Sequence, residues 1–153
     1  MTHIMPCLSA PRESSTPCGI LVEATVAAGF PSPAADQPDS PLDLHRLLIQ
    51  HPSATFFVRA AGESMLGAGV HPGDLLVVDR AREPRHSDVV IAVVDGDFTV
   101  KRLDRRTRPD GIVLRAENPA YPPIISTTAR SIEIWGVVTA CIHTFVTFRG
   151  HQT

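Results

Sequence analysis

The sequence predicts a mostly β fold with one or two short helices, preceded by a flexible N-terminal arm. Three observations predict it. From residue 55 onward, short runs of β-branched and aromatic residues recur at close spacing with turn residues between them. One pair of runs is separated by Asp95-Gly96 alone, a dipeptide that suits a two-residue hairpin because both positions tolerate positive φ. Residues 1–41 differ from the rest: they hold seven of the fourteen prolines, and one positive charge against four negative ones. Such a stretch buries too little apolar surface to offset the entropy of ordering it.

The elements follow in order. Residues 1–41 read as a mobile arm, except that the apolar segment 20–30 could lie down as an extended strand. That segment imitates a signal peptide, but Glu23 interrupts it, and Arg12, the one positive charge before it, is offset by Glu13. No apolar run reaches the roughly 18 residues a membrane span needs, so neither secretion nor a membrane is expected. Leu44, Leu47 and Leu48 recur at helical spacing in Leu42–Gln50, and Pro52 stops the turn. Strands are then expected at Thr55–Ala61, at Leu75–Asp79 after the His71-Pro72-Gly73-Asp74 turn, and at Val89–Val94, whose unbroken β-branched run fits burial on both faces. Phe98–Leu103, Ile112–Ala116 and Ile132–Thr144 complete the set. The domain runs over residues 42–148, with 149–153 as a disordered tail.

Composition narrows the function. A net charge of −2 provides no electrostatic footprint for nucleic acid, so direct sequence-specific DNA binding is not expected. Three cysteines (Cys7, Cys18, Cys141) are an odd number without metal-ligand spacing, which fits a reducing, cytoplasmic compartment. Cys141 is expected to pack in a core strand and the other two to sit in the arm.

Lys101 stands out as the only lysine, against thirteen arginines. Arginine keeps its proton near neutral pH, whereas a desolvated lysine can lose it and act as a general base. Lys101 lies in Phe98–Leu103, where alternation places it on one face with Thr99 and Leu103. The plainer reading is an exposed strand lysine paired with Asp95 or Asp97. Candidate nucleophiles are Ser64, Ser53, Ser87, Ser126 and the thiols. Ser64 has the most suggestive setting, just past a strand in Ala61-Gly62-Glu63-Ser64-Met65-Leu66, where a short helical turn would leave backbone N–H groups free as an oxyanion hole. It could equally just cap the turn. The seven histidines (His3, His45, His51, His71, His86, His143, His151) are scattered, and their spacing favours neither a Ser–His–Asp triad nor a metal site.

Taken together, Phe30-Pro31-Ser32-Pro33-Ala34-Ala35-Asp36, Leu47–Thr55, Gly62-Glu63-Ser64-Met65, Gly73–Asp79 and Phe98-Thr99-Val100-Lys101 resemble the LexA/UmuD-like S24 peptidases over roughly residues 29–147. The resemblance implies the compact C-terminal peptidase β-fold of that family. It implies Ser64 as nucleophile, Lys101 as base, the backbone N–H groups of Glu63 and Ser64 as oxyanion donors, and no cofactor or metal. In the family the cut glycine immediately precedes the Phe-Pro-Ser-Pro run, which selects Ala28–Gly29 over the tempting Cys18–Gly19 ten residues earlier. The resemblance further implies self-cleavage in the SOS response, stimulated by a RecA filament on single-stranded DNA. The processed homodimer would then serve an error-prone, Y-family translesion polymerase with a UmuC-like catalytic subunit. Residues 1–28 are too short and proline-broken for a helix-turn-helix, which favours this branch over the repressors. The alternatives are a non-enzymatic dimeric module that restrains the polymerase through its intact arm, a repressor relative lacking its DNA-binding domain, and a signal-peptidase-like enzyme. Residues 1–28 do not visibly match the family arm, and Glu63 is expected to face solvent.

Overall fold

The protein is described here by a computed structural model over residues 4–6, 19–21, 28–29, 40–108 and 111–147. In chain order the elements are β1 (Ile4–Pro6), β2 (Gly19–Leu21), β3 (Ser40–Leu42), α1 (Leu44–Leu48), β4 (Thr55–Arg59), β5 (Leu75–Asp79), β6 (Val89–Val94), β7 (Asp97–Asp104), β8 (Val113–Arg115), β9 (Ile124–Ile125) and β10 (Ile132–Ile142). They fall into two units: Ser9–Gln50, and Met1–Leu8 together with His51–Thr153.

In the smaller unit β2 pairs antiparallel with β3, Gly19 opposite Leu42. The start of the 20–30 segment is therefore extended, as expected, while residues 22–27 lie outside the described residues, as do most of the expected arm, Cys7, Cys18 and the tail. The helix is shorter than Leu42–Gln50. Asp43 caps α1, its carboxylate accepting from Arg46 N–H at 3.2 Å. Leu44 and Leu47 stay 51 % and 57 % exposed, so their helical spacing marks no buried face among the described residues.

The larger unit is one antiparallel sheet in the order β1-β4-β5-β10-β6-β7-β8-β9. The fold is mostly β, as the alternation and turn residues predict. β6 lies inside the sheet and is apolar on both faces. Ile91 packs with Val58, Met65, Leu76 and Val78, whereas Val90 and Ala92 pack with Leu103, Leu114 and Val137. The hairpin falls at Asp95-Gly96 with φ of 51° and 95°, which is why aspartate and glycine stand there.

β10 threads the middle of the sheet and shifts register twice, once against each neighbour. Gly136, at one shift, passes so close that a Cβ would lie 2.7 Å from Val78 Cγ1. Cys141 is on β10 but exposed, not in the core: it sits at the strand's end, past the residues that fill the interior. The edge strand β1, which pairs Ile4–Pro6 with β4, has no counterpart in the sequence reading. Proline suits an edge, where a missing N–H breaks no ladder.

Candidate active site

Beyond β4 the chain runs through Ala60 and Ala61 to Gly62, whose φ of 76° turns it into Glu63-Ser64-Met65 and a 3-10 turn at Leu66–Ala68. Met65 is 3 % exposed and anchors this turn in the core beside Val58 and Val70. The connection between β8 and β9 braces it from outside. Glu117 N–H donates to Ser64 O at 2.9 Å, Gly67 N–H donates to Glu117 O at 2.8 Å, and Asn118 Nδ2 donates to Glu63 O at 2.9 Å. Arg102 Nε in turn binds the Glu117 carboxylate. A Cβ on Gly67 would lie 2.6 Å from Glu117 O, so this approach requires glycine. Among the described residues, the N–H groups of Glu63 and Ser64 donate to no acceptor. Glu63 is exposed, as expected.

Lys101 sits on β7 opposite Val90 and is 6 % exposed. Its Nζ lies 2.8 Å from Ser64 Oγ, 2.9 Å from Thr99 Oγ1 and 2.9 Å from Val100 O. Alternation along the strand produces the Thr99 contact, and the turn after β4 delivers Ser64 from 37 residues away. Neither Asp95 nor Asp97 pairs with it; Asp95 faces Arg130 at 3.3 Å. Loss of hydration holds the Lys101 ammonium below an ordinary lysine's pKa.

This arrangement can do acid–base work. An ammonium has three donors and no acceptor, and here all three find oxygens. A neutral amine has two donors, for Thr99 Oγ1 and Val100 O, and its lone pair then faces the Ser64 hydroxyl. Beside the pair opens a cleft of about 110 Å³, lined by Val58, Ala60, Gly62, Met65, Ile91 and Val100 among others.

The other candidates are elsewhere. Ser53 and Ser87 are exposed, and Ser126 Oγ accepts from Ile112 N–H at 2.9 Å. Cys141 donates to Asp74 Oδ2 at 3.4 Å; desolvation of its sulfur and then the Asp74 carboxylate push the thiol up to about 11, away from nucleophilic thiolate. Among the described residues no histidine hydrogen-bonds Ser64; His51, His86 and His143 instead face Asp79, Asp104 and Asp74. Ala28 and Gly29 are exposed, in a bend of the smaller unit, and Gly19 lies within β2.

Residues 20–139 match the Peptidase S24-like family, most of the chain. The chain belongs to the S24-like peptidases. It is 50 % identical over 133 residues to Protein SamA of Salmonella typhimurium, covering 87 % of this chain and 89 % of that one. It is 53 % identical over 116 residues to Protein ImpA of Escherichia coli, covering 76 % and 77 %. The LexA repressor of Psychromonas ingrahamii is 39 % identical over 127 residues, which are 82 % of this chain but 59 % of the repressor. The UmuD-like resemblance read from the motifs is thus borne out at the level of family, and S24-like membership makes the chain a serine peptidase in kind.

The bracing residues Glu117 and Asn118, fifty or more positions from the turn they hold, were not among the candidates legible in the sequence. Nothing in their spacing could have revealed them. Thr99 was legible as a face-mate of Lys101 but not as its hydrogen-bond partner.

Proposed function

We propose that this S24 peptidase cuts its own Ala28–Gly29 bond, with Ser64 as nucleophile and Lys101 as general base. The observation that carries the reading is the 2.8 Å separation of Ser64 Oγ from a buried amine that has no carboxylate partner among the described residues. Neutral Lys101 takes the Ser64 proton as Oγ bonds to the Ala28 carbonyl carbon. The resulting oxyanion is held by the N–H groups of Glu63 and Ser64. Lys101 then returns the proton to the Gly29 amine as the C–N bond breaks, and water later releases the acyl group with Lys101 again as base. A cleft of this size, lined mostly by small and β-branched residues, suits small side chains such as those flanking the bond.

By family resemblance, the physiological role is SOS mutagenesis. Cleavage is stimulated by RecA filaments on single-stranded DNA, and the processed homodimer serves in the cytoplasm as accessory subunit of a UmuC-like, Y-family translesion polymerase. The similarity to SamA and ImpA over three quarters or more of the chain supports this branch. The test is mass spectrometry of wild type, Ser64→Ala and Lys101→Ala incubated at mildly alkaline pH, with and without RecA filaments. Only wild type should yield a fragment beginning at Gly29. A fragment beginning at Gly19 would refute the choice of bond, and no fragment under any condition would leave the non-enzymatic module as the better account.

A further inference from the structure

Strands β5 and β10 pair antiparallel with Leu75 opposite Ile142. This register brings the turn before β5 against the residues that end β10. His71 and Asp74 come from the first and His143 from the second, 69 positions from Asp74. His143 Nδ1 lies 2.5 Å from Asp74 Oδ1, and His71 Nδ1 lies 3.7 Å from Asp74 Oδ2. The two imidazole rings are 5.1 Å apart, and one donor atom from each of the three residues lies within 4.8 Å of the others.

We propose that His71, Asp74 and His143 form a binding site for one divalent transition-metal ion of the zinc class. Two imidazole nitrogens and one carboxylate oxygen are donors of the hardness zinc takes, whereas magnesium and calcium require oxygen sets. Bonds of about 2.0–2.1 Å in a tetrahedron place donor atoms about 3.3 Å apart. The present separations bracket that value, so small rotations of the two imidazoles complete the set. The fourth position faces water, since the histidine side chains are 50 % and 45 % exposed while the Asp74 side chain is 3 % exposed.

The surroundings hold the carboxylate in place. His71 N–H donates to Asp74 Oδ2 at 2.8 Å, and Cys141 Sγ donates to the same oxygen from the side. The turn is fixed to the strand extension that leads to Ser64: Gly73 N–H donates to Ala60 O at 2.9 Å and Ala60 N–H to Asp74 O at 2.8 Å. Such support of a ligand by outer hydrogen bonds is what metal sites need. The contrast with Asp79 and Asp104 is informative. Asp79 faces one imidazole, which an ordinary hydrogen bond at 2.6 Å accounts for, and Asp104 has one imidazole at 3.6 Å, whereas Asp74 faces two.

The experiment uses full-length, tag-free protein stripped with chelator. Zinc titration calorimetry should show one ion per chain, and Co²⁺ should give visible d–d bands of a low-coordinate nitrogen–oxygen site. His71→Ala and His143→Ala should each weaken binding by roughly tenfold or more. The double variant should abolish both the Co²⁺ bands and the zinc-induced rise in Tm, while His51→Ala should keep them. Both imidazoles are half-exposed, so these variants fold. Absence of one-to-one binding, retention of binding in the double variant, or an intense thiolate-to-cobalt charge-transfer band would each overturn the assignment.

Discussion

A lysine removed from water can relieve its charge through an acidic partner or by giving up its proton. Lys101 has three oxygens around Nζ and no carboxylate among them, so the second route is open. Its pKa lies below the ordinary value, and the rate of self-cleavage should therefore rise with pH through an apparent pKa lower than 10.5 and then level off. Lys101→Arg keeps the charge but cannot deprotonate, and should slow cleavage by about 10²–10⁴-fold or more in a fragment-yield time course. Thr99→Val removes an acceptor that favours the ammonium. The acid limb of the pH–rate profile should then move to lower pH while the plateau falls, because the amine is less well oriented. The same depression has a cost in stability. Below the folded pKa the native state holds a poorly solvated charge, and stability rises with pH between the folded and unfolded values. Lys101→Met should accordingly stabilise the inactive protein at neutral pH, by on the order of 1 kcal/mol in denaturant unfolding. Lys101 was legible from composition, as a lone lysine among arginines on an apolar strand. Ser64 was singled out instead by its setting past a strand and mainly by the family motif; its place beside the amine is what folding adds.

At the scale of elements, the Ser64 turn is a short stretch held both by its own backbone hydrogen bonds, such as Ala68 N–H to Met65 O at 3.0 Å, and by its neighbours. The β8–β9 connection occupies the Glu63 and Ser64 carbonyls, while the N–H groups of the same two residues donate to no acceptor among the described residues. Asn118→Ala should reduce the cleavage rate while costing only about 1 kcal/mol of stability. Gly67→Ala places a methyl 2.6 Å from Glu117 O and should cost about 1–3 kcal/mol and slow cleavage together. Both are read by pairing a urea melt with a fragment-yield assay. Strand positions were predictable because period-2 alternation and Asp95-Gly96 are local. β1 was missed because three residues in a proline-broken stretch carry no periodicity, and their partner strand decides their state. The leucines of α1 do mark a helix, but spacing says which residues share a face and not whether anything covers it.

For the whole molecule, two apolar layers meet at β6 and β10, and the sheet between them is the scaffold on which Lys101 and Ser64 are set. Leu114, fully buried opposite Leu103 and packed with Val90 and Val137, has little room to relax, and Leu114→Ala should cost about 2–5 kcal/mol in thermal or denaturant unfolding. Acid should act through Asp104. Hydrogen bonds from Thr107, then Arg115 and the backbone, hold its carboxyl below the ordinary value. A depressed carboxyl contributes stability above its unfolded pKa, near 3.8, and loses it as pH falls toward the folded value. Asp104→Asn should flatten that acid limb in Tm measured against pH. Which strands exist was largely readable from local pattern; which strands are neighbours was not, because β5 next to β10 and β10 next to β6 are set by long-range pairing.

The solitary lysine also makes the molecule its own reporter. Growth on lysine labelled with nitrogen-15 at the side chain would place a single side-chain isotope in the entire protein, at the amine beside Ser64. Its resonance needs no assignment, and following it across a pH series would read the protonation of the base directly, in the intact chain and after any change made around it.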